Sequence, residues 1–344
     1  MQQDKRSVVI VGAGAIGGST AAFLADAGWD PELVCKHQET VDLAPTRGLH
    51  VFGVKGEKYA RVRALKDVSD LSRVADVVLL ATKANDCTDA ARRLLPVLRD
   101  DSVVVSLQNG ICEDAIAEVV GRDRVVGCVV GWGATMHGPA ELEVTSDGEF
   151  ILGNIDGRTD DRLPFLKDLL GAVQPTRISG NIMGELYSKL IINSCINSLG
   201  VIAGLELGKL LAIRKVRRIF VGLMREAMAV AAASGVKVEP AAGGKLDFYG
   251  FLEGDSLFSN LKRHFVVRMI GLKYRRIKSS SLQSLERGRL TEIDYLNGYI
   301  CSRGAQYGVP TPVNDAVVTV IKEIESGART ITPDNLNDPL FRAW

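Results

Sequence analysis

The chain carries almost no net charge: 42 Lys and Arg stand against 41 Asp and Glu over 344 residues, a formal +1. That balance removes the bulk electrostatic case for nucleic acid or an anionic membrane as a partner. Histidine is scarce. His37, His50, His137 and His264 lie far apart, and no cluster with metal-ligand spacing accompanies them, so no metal role is expected. Six cysteines, at 35, 87, 112, 128, 195 and 301, form no C-x-x-C pair. They read as reduced thiols of a cytoplasmic protein, not as disulfides or a zinc site. The longest apolar stretch, 190–205, is interrupted by Asn193 and Asn197 and reads as too short and too polar for a membrane span. The N-terminal residues are polar and lead into a strand, so no secretory signal is expected. Internal repeats and low-complexity segments are also missing. The remainder is 46% hydrophobic and 24% charged, ordinary for a globular protein and long enough for two domains.

Against that background one stretch organises the chain: Val8-Val9-Ile10-Val11-Gly12-Ala13-Gly14-Ala15-Ile16-Gly17. Four apolar residues read as a buried parallel strand, and glycines in G-x-G-x-x-G order follow at once. An Ala-rich helical run, Ser19-Thr20-Ala21-Ala22-Phe23-Leu24-Ala25, comes next. Strand, glycine turn and helix together are the context in which this motif binds a dinucleotide. Gly12 permits the tight turn, Gly14 lets backbone approach a pyrophosphate, and Gly17 lets the helix pack on the strand. With Ala13, Ala15 and Ile16 they form a cofactor-binding turn whose free N–H groups face the phosphates.

The second strand, Glu32-Leu33-Val34-Cys35, ends in Lys36-His37. NAD-binding folds place an acidic residue near this point for the ribose hydroxyls. The carboxylate is missing and a cation replaces it, which suits the 2′-phosphate of NADP; the plainer alternative is a solvated loop lysine. Further buried strands are expected at 76–82, 102–107 and 125–130, with a helix pattern over 86–98. Lys83 and Asn109 fall just beyond strand C-termini, the edge where doubly wound sheets bind ligands; each is also an ordinary turn residue. Residues 135–153 read as hairpin material at the sheet edge, 162–170 as a helix and 174–178 as a last strand. The alternation predicts an α/β, Rossmann-type, doubly wound, mostly parallel sheet over 1–179.

From about residue 180 the period becomes helical, predicting an all-helical C-terminal domain over 180–344. A long helix is expected at 182–199. Within it Lys189, Asn193 and Asn197 stand four apart and share one face. Such groups among leucines and isoleucines are costly to bury alone. They either meet a polar ligand or tie the helix to another part of the protein. Further helices are expected at 213–233, 279–285, 292–302 and 313–325. The segment 236–278 carries a basic run that reads as the solvated face of one or two helices, an anion-attracting lid being the sharper alternative.

These residues resemble the ketopantoate reductases, also called 2-dehydropantoate 2-reductases, over most of the chain. The glycine turn, Ala81-Thr82-Lys83-Ala84 and Gln108-Asn109-Gly110 match the family's cofactor signatures. Tyr187-Ser188-Lys189 through Asn193 and Asn197 is similar to its W-x-K-x-x-x-N-x-x-x-N helix. Ser279-Ser280-Ser281-Leu282-Gln283 and Thr291-Glu292-Ile293-Asp294 are similar to its S-S-M-L-Q-D and T-E-I-D signatures. The resemblance implies NADPH-dependent reduction of ketopantoate to pantoate in pantothenate biosynthesis. It makes Lys189 the proton donor and places Glu292 at the cofactor–substrate junction. It also puts Asn109, Asn193, Asn197 and Ser280 on the substrate, Lys36, Lys83 and Asn109 by the cofactor, and Ala134 near the nicotinamide. A homodimer is a further implied possibility. The chain departs from the pattern at Tyr187, Ser281, Ser284 and Leu207, where members carry tryptophan, methionine, aspartate and a further substrate asparagine. Two alternatives stay open: reduction of another 2-keto acid, and a non-catalytic NADP-binding sensor.

Overall fold

The computed structural model describes residues 6–344, apart from the Ala242 side chain. The chain divides into two compact units, one ending at Ile182 and the other spanning Met183–Trp344. In chain order the first runs β1 (Val8–Val11), α1 (Ala15–Asp26), β2 (Glu32–Val34), α2 (Gln38–Thr46), β3 (Leu49–Gly53), β4 (Lys58–Ala60), β5 (Arg63–Leu65) and β6 (Ala75–Leu80). It continues with α3 (Cys87–Leu94), β7 (Leu98–Ser106), α4 (Glu113–Val120), β8 (Val125–Val130), β9 (Gly133–Gly138), β10 (Glu141–Ser146), β11 (Phe150–Asn154), α5 (Arg162–Gly171) and β12 (Thr176–Ile178).

Eight strands form the main sheet in the order β12-β11-β8-β7-β6-β1-β2-β5. All neighbours are parallel except β11 against β8. The chain leaves β1 toward β2 and β5 on one side, then returns to β6, β7 and β8 on the other. The reversal falls between β1 and β6, the topological switch point where such sheets bind ligands. Every residue of β1 and β8 is buried, as expected of strands covered on both faces.

The residues at 135–153 do not form one hairpin at the edge of this sheet. β9 and β10 pair antiparallel, but they belong to a separate four-stranded sheet, β4-β3-β10-β9, while β11 joins the main sheet. The second sheet packs on α1, where a Cβ added at Gly18 would lie 2.8 Å from a Leu142 methyl. Covered by both sheets, α1 is buried from Gly17 to Leu24, which is why its sequence is apolar all round. The helix pattern at 86–98 is shorter than expected: α3 stops at Leu94 and a 3₁₀ turn holding Pro96 leads into β7.

The second unit is helical. It comprises α6 (Ile182–Ala203), α7 (Leu207–Leu210), α8 (Arg214–Ala233), α9 (Ala241–Gly244), α10 (Phe248–Leu252), α11 (Leu257–Lys273), α12 (Ser280–Glu286), α13 (Asn297–Tyr307) and α14 (Pro312–Glu325). α6 begins well before the apolar run. It is the one described helix long and apolar enough to cross a membrane by length and composition, and 78% of that stretch is buried inside the protein. A buried polar chain fixes it in place. Ser198 donates to the Asn297 amide oxygen, and Asn297 Nδ2 donates to Ser194 O at 3.2 Å and to Asn314 Oδ1 at 2.9 Å. Glu226 of α8 completes the chain by accepting from the Val313 and Asn314 backbone N–H groups, at 2.8 and 3.0 Å, at the start of α14. Each member has a partner, the condition under which a buried polar network fixes one arrangement.

Candidate active site

In the first unit the glycine turn lies at the switch point. Gly12 has φ +109°, and a Cβ there would meet the Ala81 carbonyl carbon at 2.7 Å. A Cβ on Gly17 would lie 2.0 Å from the Gly12 carbonyl oxygen, so close helix–strand packing also requires glycine. Gly14 differs: nothing lies within 4 Å of the position its Cβ would take. It is also the N-cap of α1, with no side chain capping the helix and no acidic residue in the first turn. Open space, uncapped N–H groups and no competing carboxylate fit a dinucleotide phosphate at this helix start.

Lys36 follows β2 and is exposed, 3.2 Å from Asp86 Oδ2. The exposed Lys83 and the half-buried Asn109 follow β6 and β7. Their two turns are linked from below: Gln108 Nε2 donates to Thr82 Oγ1 at 3.2 Å, and Ser106 Oγ donates to Gln108 Oε1 at 2.7 Å. Next to Ser106 sits Glu113, at the start of α4 and 1% exposed; burial pushes its carboxyl up to about 7. Sequence reasoning missed Ser106, Gln108 and Glu113 as supporting residues. The available signal was a glutamate at a helix start directly after an Asn-Gly turn. Ala134 lies on β9, in the smaller sheet, and is half-buried.

In the second unit, α6 is buried from Gly184 to Gly200 except at Lys189, Ile192, Asn193 and Ile196. Those four positions, at i, i+3, i+4 and i+7, form a single accessible seam on the helix. Asn197 is buried one turn further on, where its side-chain oxygen accepts from Ser280 Oγ at 3.2 Å. Ser279 caps α12 through the Leu282 N–H and also reaches Asn197 O at 3.4 Å. This approach depends on Gly200, where a Cβ would lie 2.5 Å from Ser279 Oγ. Two of the predicted substrate residues, 83 positions apart, are therefore in direct contact.

Glu292 is 8% exposed and sits on an anchored loop, not inside the helix expected at 292–302, which starts only at Asn297. Glu325 of α14 accepts from Thr291 N at 2.7 Å and Thr291 Oγ1 at 2.6 Å. Lys322 donates to Asp294 at 2.5 Å. The Thr291-Glu292-Ile293-Asp294 signature thus splits into two anchors, Thr291 and Asp294, that hold Glu292 between them. Tyr187 is fully buried against Tyr299, the ring centroids 6.0 Å apart. Leu207 is 3% exposed at the start of α7, a packing residue.

The sequence pattern described as "Ketopantoate reductase PanE/ApbA" matches residues 8–157, and "Ketopantoate reductase PanE/ApbA C terminal" matches 181–325. The chain belongs to the ketopantoate reductase family. It is an oxidoreductase of the 2-dehydropantoate 2-reductase type. A curated 2-dehydropantoate 2-reductase of Aquifex aeolicus is 26% identical over 323 residues, covering 92% of this chain and 96% of that one. The crystal structure of a PanE/ApbA family ketopantoate reductase from Ralstonia eutropha JMP134 has a TM-score of 0.79 at 29% identity. It covers 93% of this chain and 99% of that one. D-mandelate dehydrogenase, solved with NADH and anilino(oxo)acetate, shares the fold with a TM-score of 0.77 at 23% identity, over 93% of this chain and 98% of that one. Both reductase patterns span the residues singled out in each unit. The glycine turn, Lys83 and Asn109 fall in the first, and Lys189, Asn193, Asn197, Ser280 and Glu292 in the second.

Proposed function

We propose that this ketopantoate reductase reduces 2-dehydropantoate to pantoate with NADPH in the cytoplasm. The first unit holds the cofactor and the second holds the substrate and the proton donor. The observation that carries this reading is the seam on α6: on an otherwise buried helix, a lysine and an asparagine one turn apart stay accessible. Bound NADPH supplies a hydride to the keto carbon. Lys189 hydrogen-bonds the keto oxygen and delivers the proton that the new alkoxide needs. Asn193, Asn197 with Ser280, and Asn109 bind the polar groups of the substrate. Glu292 orients Lys189 or the cofactor ribose. The Gly12–Gly17 turn, including Ala13, Ala15 and Ile16, binds the pyrophosphate, and Lys36 the 2′-phosphate. Lys83 and Ala134 line the cofactor site.

Leu207 favours a second reading. Packed into the helical unit where members carry a substrate asparagine, its side chain contributes no hydrogen bond, so a less polar 2-keto acid is a competing substrate. Purified protein with NADPH and a panel of 2-keto acids, followed by loss of nicotinamide absorbance, tests both. Turnover of ketopantoate supports the first reading, and turnover of another member alone supports the second. Tight NADPH binding with no reduction of any 2-keto acid would replace both with a binding-only role.

A further inference from the structure

The basic residues of 236–278 divide in two. Lys262, Lys273, Arg275, Arg276 and Lys278 are exposed, as expected of a solvated face. Arg263, His264 and Arg268 turn back into the helical unit instead. Arg263 is 2% exposed, its guanidinium donating to Glu253 O and Gly254 O at 3.0 and 2.8 Å. Arg268 donates to Gly208 O of α7 at 3.2 Å. The half-buried His264 feels the charges of Arg214, Arg217 and Arg218, at the start of α8, and of Arg263. Arg217 is anchored as well, Nη1 donating to Leu211 O at 2.8 Å and to Ala212 O at 2.7 Å.

This cluster is uncompensated. The charged groups acting on Arg217 are Arg268 and Arg214, and those acting on His264 are four arginines. No described carboxylate pairs with Arg214, Arg217, Arg218, His264 or Arg268. Nor can the cations splay apart. A Cβ at Gly271 of α11 would lie 2.8 Å from Leu211 Cβ, and one at Gly208 of α7 2.8 Å from Arg275 Cα, so the backbones that carry them are packed tightly. Three buried nitrogens here, Arg217 Nε, Arg263 Nε and His264 Nδ1, have no hydrogen-bond partner among the described residues. Buried polar groups are nearly always satisfied, and a bound ion is one way an exception is resolved. The start of α8 has the same bias: four of its first five residues are basic, with no acidic residue and no side-chain cap, where the helix dipole favours negative charge.

We propose that this cluster binds a small phosphate-bearing anion, held by Arg214, Arg217 and Arg218 of α8 and by His264 and Arg268 of α11. Guanidinium forks match phosphate oxygens bidentately, and a dianion offsets more of the repulsion than a single carboxylate does. A chain of net charge +1 lacks the wide basic face that nucleic acid or an anionic membrane requires. The site uses none of the residues assigned above to cofactor or substrate and does not depend on that assignment.

His264 is the reporter. Burial and then the four arginines hold its imidazole below the ordinary histidine range, and a bound phosphate reverses that field. The test follows the four histidines of the full chain by NMR at constant ionic strength, with His264 assigned from His264→Gln. Inorganic phosphate and glycerol 3-phosphate are the probes. Either should raise the His264 titration midpoint saturably, by about one to three pH units. Arg214→Glu with Arg218→Glu should abolish the response; both side chains are exposed, so circular dichroism should be unchanged. Lys36→Asp should retain it, which separates this site from phosphate bound in the first unit. Tighter binding of glycerol 3-phosphate assigns the site to a phosphate ester, and equal binding assigns it to the phosphate group alone. A midpoint that does not move, or that moves equally with chloride, overturns the proposal. So does a response that survives the double charge reversal, or heparin binding with no response to either phosphate.

Discussion

Ser280 donates its hydroxyl hydrogen to the side-chain oxygen of Asn197 across 3.2 Å. With its oxygen occupied, the Asn197 amide is left with its NH2 group to donate, the polarity a carboxylate or keto oxygen requires. In the proposed substrate site Ser280 is then a positioning residue for Asn197 as well as a contact of its own. Ser280→Ala should raise KM for the keto acid by about tenfold, the value of one hydrogen bond to a charged group, with a smaller change in kcat. Asn197→Asp should be more damaging, because it puts a carboxylate where a donor is needed. An unchanged KM in Ser280→Ala would remove this pair from substrate binding.

In the proposed mechanism Lys189 is the proton donor. General-acid catalysis contributes on the order of 10²–10⁴-fold to rate. Lys189→Ala should lower turnover by about that factor while the protein still folds and still binds NADPH. If Lys189 and Glu292 serve one proton-transfer assembly, the double alanine variant should lose less than the product of the single losses. A variant that keeps its turnover but melts at a lower temperature would make the lysine structural instead.

The elements legible in the sequence were those with one dominant signal. β1, β8 and α5 declared themselves by continuous or periodic apolar runs, and α6 by its length. The second sheet was not legible because its pairing is non-local: β10 pairs with β3 across about ninety residues, a partner no local pattern specifies. α2 was hidden by Pro45 near its end, which reads as a breaker. In the helical unit the polar residues of α6 were visible from their spacing. Which of them were accessible was not: that depends on packing, which buries Asn197 against Ser280 and leaves Asn193 in the seam. In the basic run of 236–278 Lys262, Lys273, Arg275, Arg276 and Lys278 are exposed as expected, but charge counts did not show that Arg263 turns inward. Arg263 is among the largest fully buried side chains, while the adjacent leucines and phenylalanines face water.

In the proposed reading cofactor choice turns on Lys36, which is held by Asp86 at 3.2 Å with both side chains largely exposed. A solvated pair of this kind is worth little, so a 2′-phosphate can displace Asp86. KM should be lower for NADPH than for NADH, and Lys36→Asp should abolish the difference. Asp86→Asn should sharpen it, because Lys36 is then no longer partly neutralised. Equal use of both cofactors by the wild type would return Lys36 to the role of a solvated loop lysine.

The last prediction concerns Glu113, buried beneath the Asn109 turn. The single Ser106 hydroxyl hydrogen is directed at Gln108 Oε1, 2.7 Å away, so toward Glu113 that hydroxyl can only accept. A protonated Glu113 supplies the missing donor. The chain then runs from Glu113 to Ser106, to Gln108 and to Thr82, joining the turns that carry Asn109 and Lys83. Burial is the main reason its pKa is raised to about 7, and neighbouring Asp114 acts in the same direction. Among the described residues Oε2 has no hydrogen-bond partner, and burial outweighs the hydrogen bonds from the Cys112 and Glu113 backbone N–H groups that favour the ionised form. Because the folded protein binds this proton more tightly than the unfolded chain, the stabilising contribution is complete below about pH 4.5. It declines as pH rises and is gone once the pH passes about 7. The full span is at most about 3 kcal/mol at 1.36 kcal/mol per pKa unit. Glu113→Gln keeps the shape and a donor but cannot ionise. Thermal melts of both proteins should nearly coincide at pH 5, and the glutamine variant should melt several degrees higher at pH 8. Melting curves that stay parallel across this range would mean that Glu113 is ionised in the folded protein and that the hydrogen-bond chain runs in the opposite sense.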